Sequence, residues 1–123
     1  MGIVGGSMAG LIAGLLLKHQ GWSVDIFERS SERLASRGAG ITPHKELFDA
    51  FRQAGADIED AMGIESHGRI ILGYDGGILA EVQAPQLFTS WGLLYRFLRK
   101  KFPDDRYHNG AVATEVSEDD HAV

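Results

Sequence analysis

The chain has 123 residues, 44% of them hydrophobic and 24% charged, with a formal net charge of −5 and no cysteine. That length suffices for one small domain with its own core. The acidic balance argues against nucleic acid or an anionic membrane as main partner, and the missing thiols exclude disulfides, thiolate metal ligands and a cysteine nucleophile, which fits a cytoplasmic protein. The longest apolar run, Met8 to Leu17, is too short to span a bilayer and lacks the flanks of a signal peptide, so it reads as a buried helix. Gly2 opens no myristoylation signal, because Gly6 stands where Ser or Thr is expected.

In chain order, Gly2 to Val4 is an apolar strand running into Gly5-Gly6. Met8 to Gln20 is a helix, apolar nearly all round, as suits a helix held between layers, and Gly21 stops it. Ser23 to Phe27 alternates into a second strand. Ser30 to Gly40 reads as a long loop, polar and then glycine-rich. Thr42 is the expected N-cap of the next helix, with Pro43 at its first position; Leu47, Phe51 and Ala54 repeat at helical spacing, and Gly55 ends it. Two short apolar runs around Asp75-Gly76-Gly77 predict a hairpin over Arg69 to Val82. Ser90 to Lys101 predicts a helix with Arg99, Lys100 and Lys101 at its C-terminal end, where cations suit the dipole, and Phe102-Pro103 stops it. Tyr107-His108 and Ala111 to Val116 read as strands. His121-Ala122-Val123 reads as the start of another, after a polar turn over Ser117 to Asp120, which leaves a sheet edge open and suggests a piece of something longer.

The chemistry concentrates in the first turn. A strand, then Gly5, Gly6, Ser7, Met8, Ala9 and Gly10, then a helix, is the setting of the dinucleotide fingerprint G-x-G-x-x-G, with serine in the second glycine position. The first glycine makes the bend, the second lets backbone approach a pyrophosphate, and the third lets helix and strand pack closely. Gly5 and Gly10 fill the first and third roles. Ser7 is small and carries a hydroxyl donor, and the helix start behind it offers free amides to an anion. Gly14 allows further close packing. Glu28, eighteen residues beyond Gly10, closes the second strand where an acid accepts the hydroxyls of an adenosine ribose. Its charge disfavours a 2′-phosphate there. Arg29 beside it can reach phosphate or adenine. The alternative is a plain strand-to-helix turn with a solvated strand-end acid.

The segments G-G-S-M-A-G-L, D-I-F-E-R-S, R-G-A-G-I-T-P, T-S-W-G-L-L-Y-R and N-G-A-V, in that order, resemble the FAD-dependent aromatic-ring monooxygenases of the para-hydroxybenzoate hydroxylase-like group, and most of all its hydroxypyridine hydroxylase branch. The resemblance implies an α/β fold: a Rossmann-like FAD-binding βαβ unit with part of an antiparallel substrate-domain sheet, an incomplete FAD domain of the glutathione-reductase type. It divides the chain into the βαβ unit and following helix at 1–66, a substrate-domain hairpin at 67–89, and a return to the FAD-binding domain at 90–123. Gly5 to Gly10 would cradle the FAD pyrophosphate and Glu28 would hold the adenosine ribose. The loop carrying Arg37 and Gly40 would run along the flavin side, and Val112 would lie near the adenine. Trp91 stands where many relatives carry an FAD-contacting arginine, so that role is not carried over. A later Gly-Asp segment that grips the cofactor lies outside this sequence.

The implied activity is ring hydroxylation with FAD as cofactor, NAD(P)H as co-substrate, and a small aromatic substrate and O2 as partners. No catalytic acid or base is identifiable within the chain, and the chain alone is expected to be inactive. An oligomer remains compatible with the sequence. His19, His44, His67, His108 and His121 are scattered and predict no metal site. Asp57, Glu59 and Asp60 read as a loop or helix start. Arg96, Arg99, Lys100 and Lys101 read as a solvated helix end, and Trp91, Leu94 and Tyr95 as core. Two other readings stay open: another FAD or NAD oxidoreductase sharing only the turn, and a non-catalytic module that binds a nucleotide or a partner chain.

Overall fold

A computed structural model describes residues 1–31, 34, 39–56 and 63–117. The elements run β1 (Gly2–Val4), α1 (Met8–His19), β2 (Asp25–Glu28), β3 (Gly40–Ile41), α2 (Lys45–Gln53), β4 (Ile64–Leu72), β5 (Ile78–Ser90), α3 (Trp91–Lys101), a 3₁₀ turn at Asp104–Arg106, and β6 (Tyr107–Asn109). They form two sheets. One is parallel in the order β1-β2-β6, and the other is antiparallel in the order β3-β5-β4.

The parallel sheet carries the first turn. Ile3 lies opposite Ile26, and Ile26 opposite Tyr107. β1 and β2 are neighbours joined through α1, the crossover that parallel strands require. α1 touches β1, β2, α2 and α3, which is why its apolar residues are not confined to one stripe. Gly14 lets it sit close: a Cβ there would lie 2.9 Å from the Phe102 ring and 3.0 Å from Ile26 Cδ1. Leu11, Ile26, Phe51, Leu94 and Leu98 form the most deeply buried part of the core. α1 and α2 both end in a Schellman arrangement. Gly21 (φ +87°) and Gly55 (φ +67°) supply the left-handed residue in each, and the Trp22 and Ala56 amides return to the Leu17 and Phe51 carbonyls.

Five expectations need correction. The hairpin is much longer than Arg69 to Val82, and its strands reach Ile64 and Ser90. Its ribbon exposes apolar side chains on both faces, among them Ile70, Ile71, Ile78 and Leu79, so no period-2 pattern marks its ends. Gly40-Ile41 is not loop but pairs with Thr89 and Ser90. The N-cap of α2 is His44, not Thr42: the backbone is still extended at His44 (φ −101°, ψ 162°), so the helix starts only at Lys45, and His44 makes no side-chain cap bond. Ala111 to Val116 forms no strand. The Ala111 amide bonds the Glu28 carbonyl, but beyond it, among the described residues, no neighbouring strand pairs with the segment. Arg99 is not simply solvated: its guanidinium lies over the Tyr107 ring, 4.2 Å from the centroid, and pairs with Asp104 at 2.8 Å. The expected strand at His121 to Val123, most of the expected turn before it and the acidic cluster Asp57, Glu59 and Asp60 lie outside the described residues.

Candidate dinucleotide-binding site

β1 delivers the chain into a turn that the sequence can make in only one way. Gly5 has φ +106° with open space around its missing Cβ, so the backbone conformation requires glycine there. At Gly10 the constraint is space, since a Cβ would sit 1.9 Å from the Gly5 carbonyl oxygen. The turn and the first turn of α1 therefore touch backbone to backbone, as the first and third fingerprint glycines allow. The Gly5 amide ties the turn to β2 by donating to the Phe27 carbonyl at 2.8 Å.

α1 begins with its amides available. Its N-cap Ser7 makes no side-chain cap bond, and no acidic residue stands in the first turn. The first turn of α1 itself thus supplies no carboxylate to the positive end of the helix, and Ser7 is exposed.

Glu28 faces this turn from the end of β2. It is only 7% exposed. Its Oε2 accepts from the Gly6 amide at 2.8 Å and its Oε1 from the Ser30 amide at 2.9 Å. Each oxygen keeps a further lone pair for a hydroxyl. The carboxylate is therefore first a clasp between the turn and the loop after β2. The Gly6 carbonyl is held as well, by the Tyr107 hydroxyl at 2.7 Å, and that hydroxyl lies 3.1 Å from the Tyr95 hydroxyl. Burial pushes the Tyr107 hydroxyl well above the ordinary tyrosine range. The hydrogen bond with Tyr95 acts in the same direction, and the nearby Arg99 guanidinium opposes. It stays protonated, as a donor must.

A cleft of ≈ 370 Å³ opens beside the turn, lined by Ser7, Glu28, Arg29, Leu34, Ala39 and Trp91. The structure thus gathers Ser7, Glu28 and Arg29 at one opening. Gly5, Gly6, Met8, Ala9 and Gly10 form the turn behind it. Gly40 lies in β3 next to the lining residue Ala39, whereas Arg37 lies outside the described residues. Val112 is exposed and does not line the cleft. Sequence reasoning missed two participants. Trp91, read as core, forms a wall of the cleft and stacks on Tyr95 with ring centroids 4.9 Å apart. Tyr107, read only as a strand residue, reaches back to Gly6. One signal for it was in the sequence: Gly6 is a glycine where the fingerprint tolerates any residue. A Cβ at Gly6 would lie 2.1 Å from the Tyr107 hydroxyl oxygen.

A glycine turn at the end of a parallel strand, an uncapped helix start and a strand-end carboxylate suit a dinucleotide. The FAD-binding-domain family model matches residues 1–82. The chain belongs to that family. Its cofactor is FAD, and the turn's close backbone contact and open amides fit that group. The chain is 31% identical over 121 residues to 2,6-dihydroxypyridine 3-monooxygenase of Paenarthrobacter nicotinovorans, an alignment covering 98% of this chain and 30% of that protein. The structure of 2,6-dihydroxypyridine-3-hydroxylase from Arthrobacter nicotinovorans superposes with a TM-score of 0.84 at 32% identity, over 96% of this chain and 30% of that one. Klebsiella pneumoniae HpxO, solved with FAD and uric acid, shares the fold with a TM-score of 0.74 at 20% identity, over 97% of this chain and 32% of its own. The chain thus spans about a third of the length of these relatives. The resemblance to the flavin-dependent aromatic hydroxylases, and the α/β fold it implied, are borne out. No described helix is long and apolar enough to cross a membrane.

Proposed function

We propose that this chain is the FAD-binding part of a cytoplasmic flavin-dependent monooxygenase that hydroxylates a small aromatic or hydroxypyridine ring. The overall chemistry is ArH + O2 + NAD(P)H + H⁺ → ArOH + H2O + NAD(P)⁺. Bound FAD supplies the redox and oxygen-transfer chemistry. The chain's own residues bind and orient. Gly5, Gly6, Ser7, Met8, Ala9 and Gly10 cradle the pyrophosphate, with the amides at the start of α1 as donors. Glu28 accepts from the ribose with the lone pairs that the Gly6 and Ser30 amides leave over. Arg29, exposed at the rim, reaches a phosphate or the adenine. Arg37 and Gly40 follow the flavin side, and Val112 lies towards the adenine. No residue of the chain is assigned an acid or base role. The β4–β5 ribbon belongs to the substrate-domain sheet, and the chain returns to the FAD domain with α3.

The observation that carries this reading is the Gly5–Gly10 contact at an uncapped helix start facing Glu28. The test is a titration of the folded chain with FAD, followed by flavin fluorescence. Saturable binding is expected. Gly10→Val should abolish it by wedging the turn from the helix. Glu28→Ala, which removes charged hydrogen-bond acceptors, should weaken it about 10- to 100-fold. Equal binding by wild type and Gly10→Val would refute the assignment. NAD(P)H oxidation above background by the chain plus FAD would contradict its expected inactivity alone.

A further inference from the structure

Gly6 is fixed at both ends, its amide on the Glu28 carboxylate and its carbonyl on the Tyr107 hydroxyl. In a trans peptide the carbonyl of one residue and the amide of the next point in opposite directions. Holding the Gly6 carbonyl towards the buried Tyr107 therefore turns the Ser7 N–H the other way, away from the core. Ser7 lines the cleft, and its amide donates to no protein group among the described residues. We propose that Tyr107, backed by Tyr95, is a positioning residue that aims the Ser7 amide at the cofactor pyrophosphate.

This rests on the FAD reading above and extends it across the chain, because Tyr107 stands 101 residues from Gly6. The hydroxyl is held in place from several sides. Tyr95 bonds it and is itself stacked on Trp91. Arg99 covers the Tyr107 ring, and Phe102 meets it edge-on with ring centroids 6.5 Å apart. A donor so constrained leaves the Gly6–Ser7 peptide one orientation, which is the preorganisation that lowers the cost of binding an anion. It also accounts for glycine at position 6, since any side chain would occupy the space of the tyrosine hydroxyl.

The test is Tyr107→Phe, which keeps the ring and removes one oxygen. Dissociation constants are measured for FAD, ADP and riboflavin, together with the melting midpoint of the free protein. FAD and ADP should each weaken about 3- to 10-fold, the effect of one neutral hydrogen bond. Riboflavin, which has no pyrophosphate, should be unaffected. Tyr95→Phe, which spares the bond to Gly6, should have the smaller effect. A purely structural role would lower the melting midpoint and leave the FAD and ADP constants of the folded protein within two-fold of wild type, and that result would overturn the proposal. A folded wild-type chain that bound neither FAD nor ADP would remove the cofactor reading and this role with it. That outcome is distinct from wild-type binding that Tyr107→Phe leaves unchanged.

Discussion

Gly6 shows how much one position can carry. Its two backbone bonds join the turn to β2 and to β6, and the missing side chain leaves room for the Tyr107 hydroxyl. Because φ at Gly6 is not positive, the constraint is steric rather than conformational. Gly6→Ala should therefore destabilise the protein by about 1–3 kcal/mol, the cost of overpacking. In a Tyr107→Leu background the same change should cost less, because the colliding hydroxyl and ring carbon are gone. A double-mutant cycle from denaturant melts reads this directly. Additive losses would show that Gly6 is constrained by something other than Tyr107. Glu28 shows a related economy. The sequence marks it as a ribose acceptor, whereas the structure shows that it already organises the turn through two amides.

Elements were legible where local chemistry decides them. α1 has its glycine turn before it and its left-handed glycine after it, and its ends fall within a residue of expectation. α3 is bounded by Ser90, whose hydroxyl accepts from the Leu93 amide, and by Phe102-Pro103. Legibility fails where a distant partner decides. Gly40-Ile41 becomes a strand only because Thr89 and Ser90 lie beside it, and nothing near position 40 announces them. The β4–β5 ribbon has exposed apolar residues on both faces, so alternation could not set its limits. Ala111 to Val116 has strand-like composition and no pairing neighbour among the described residues. At the site, the glycine turn and Glu28 could be read from spacing. The Tyr107 and Trp91 contributions could not, because both depend on how α3 and β6 return to the first turn.

Across the whole molecule, the ionisable groups predict how stability depends on pH. Asp25 accepts from His108 Nε2 and Arg106, each at 2.9 Å, and these bonds, His108 foremost, hold its carboxyl below the ordinary 3.8 against the opposing effect of burial. A depressed folded-state value stabilises above the ordinary carboxylate range, and that contribution is lost as pH falls through the folded value. Tyr107 has the opposite sign: its raised value stabilises below the ordinary tyrosine range and is lost as pH rises through it. The melting midpoint should fall at acid pH as the Asp25 carboxylate is protonated, and at alkaline pH above the ordinary tyrosine range. Asp25→Asn should make the acid limb shallower, and Tyr107→Phe the alkaline limb. Limbs unchanged in both variants would contradict these assignments.

The turn after β1, closed by Glu28 and Tyr107, is proposed as the seat of the dinucleotide, and the ¹⁵N–¹H spectrum of the chain as FAD is added tests this. The largest shifts should fall on the amides of Ser7, Met8, Ala9, Gly10 and Arg29 and on the Trp91 indole. A spectrum unchanged at saturating FAD, or shifts confined to Arg96, Arg99 and Lys100 around the larger cavity of ≈ 580 Å³ beside α3, would place the dinucleotide elsewhere or nowhere on the chain.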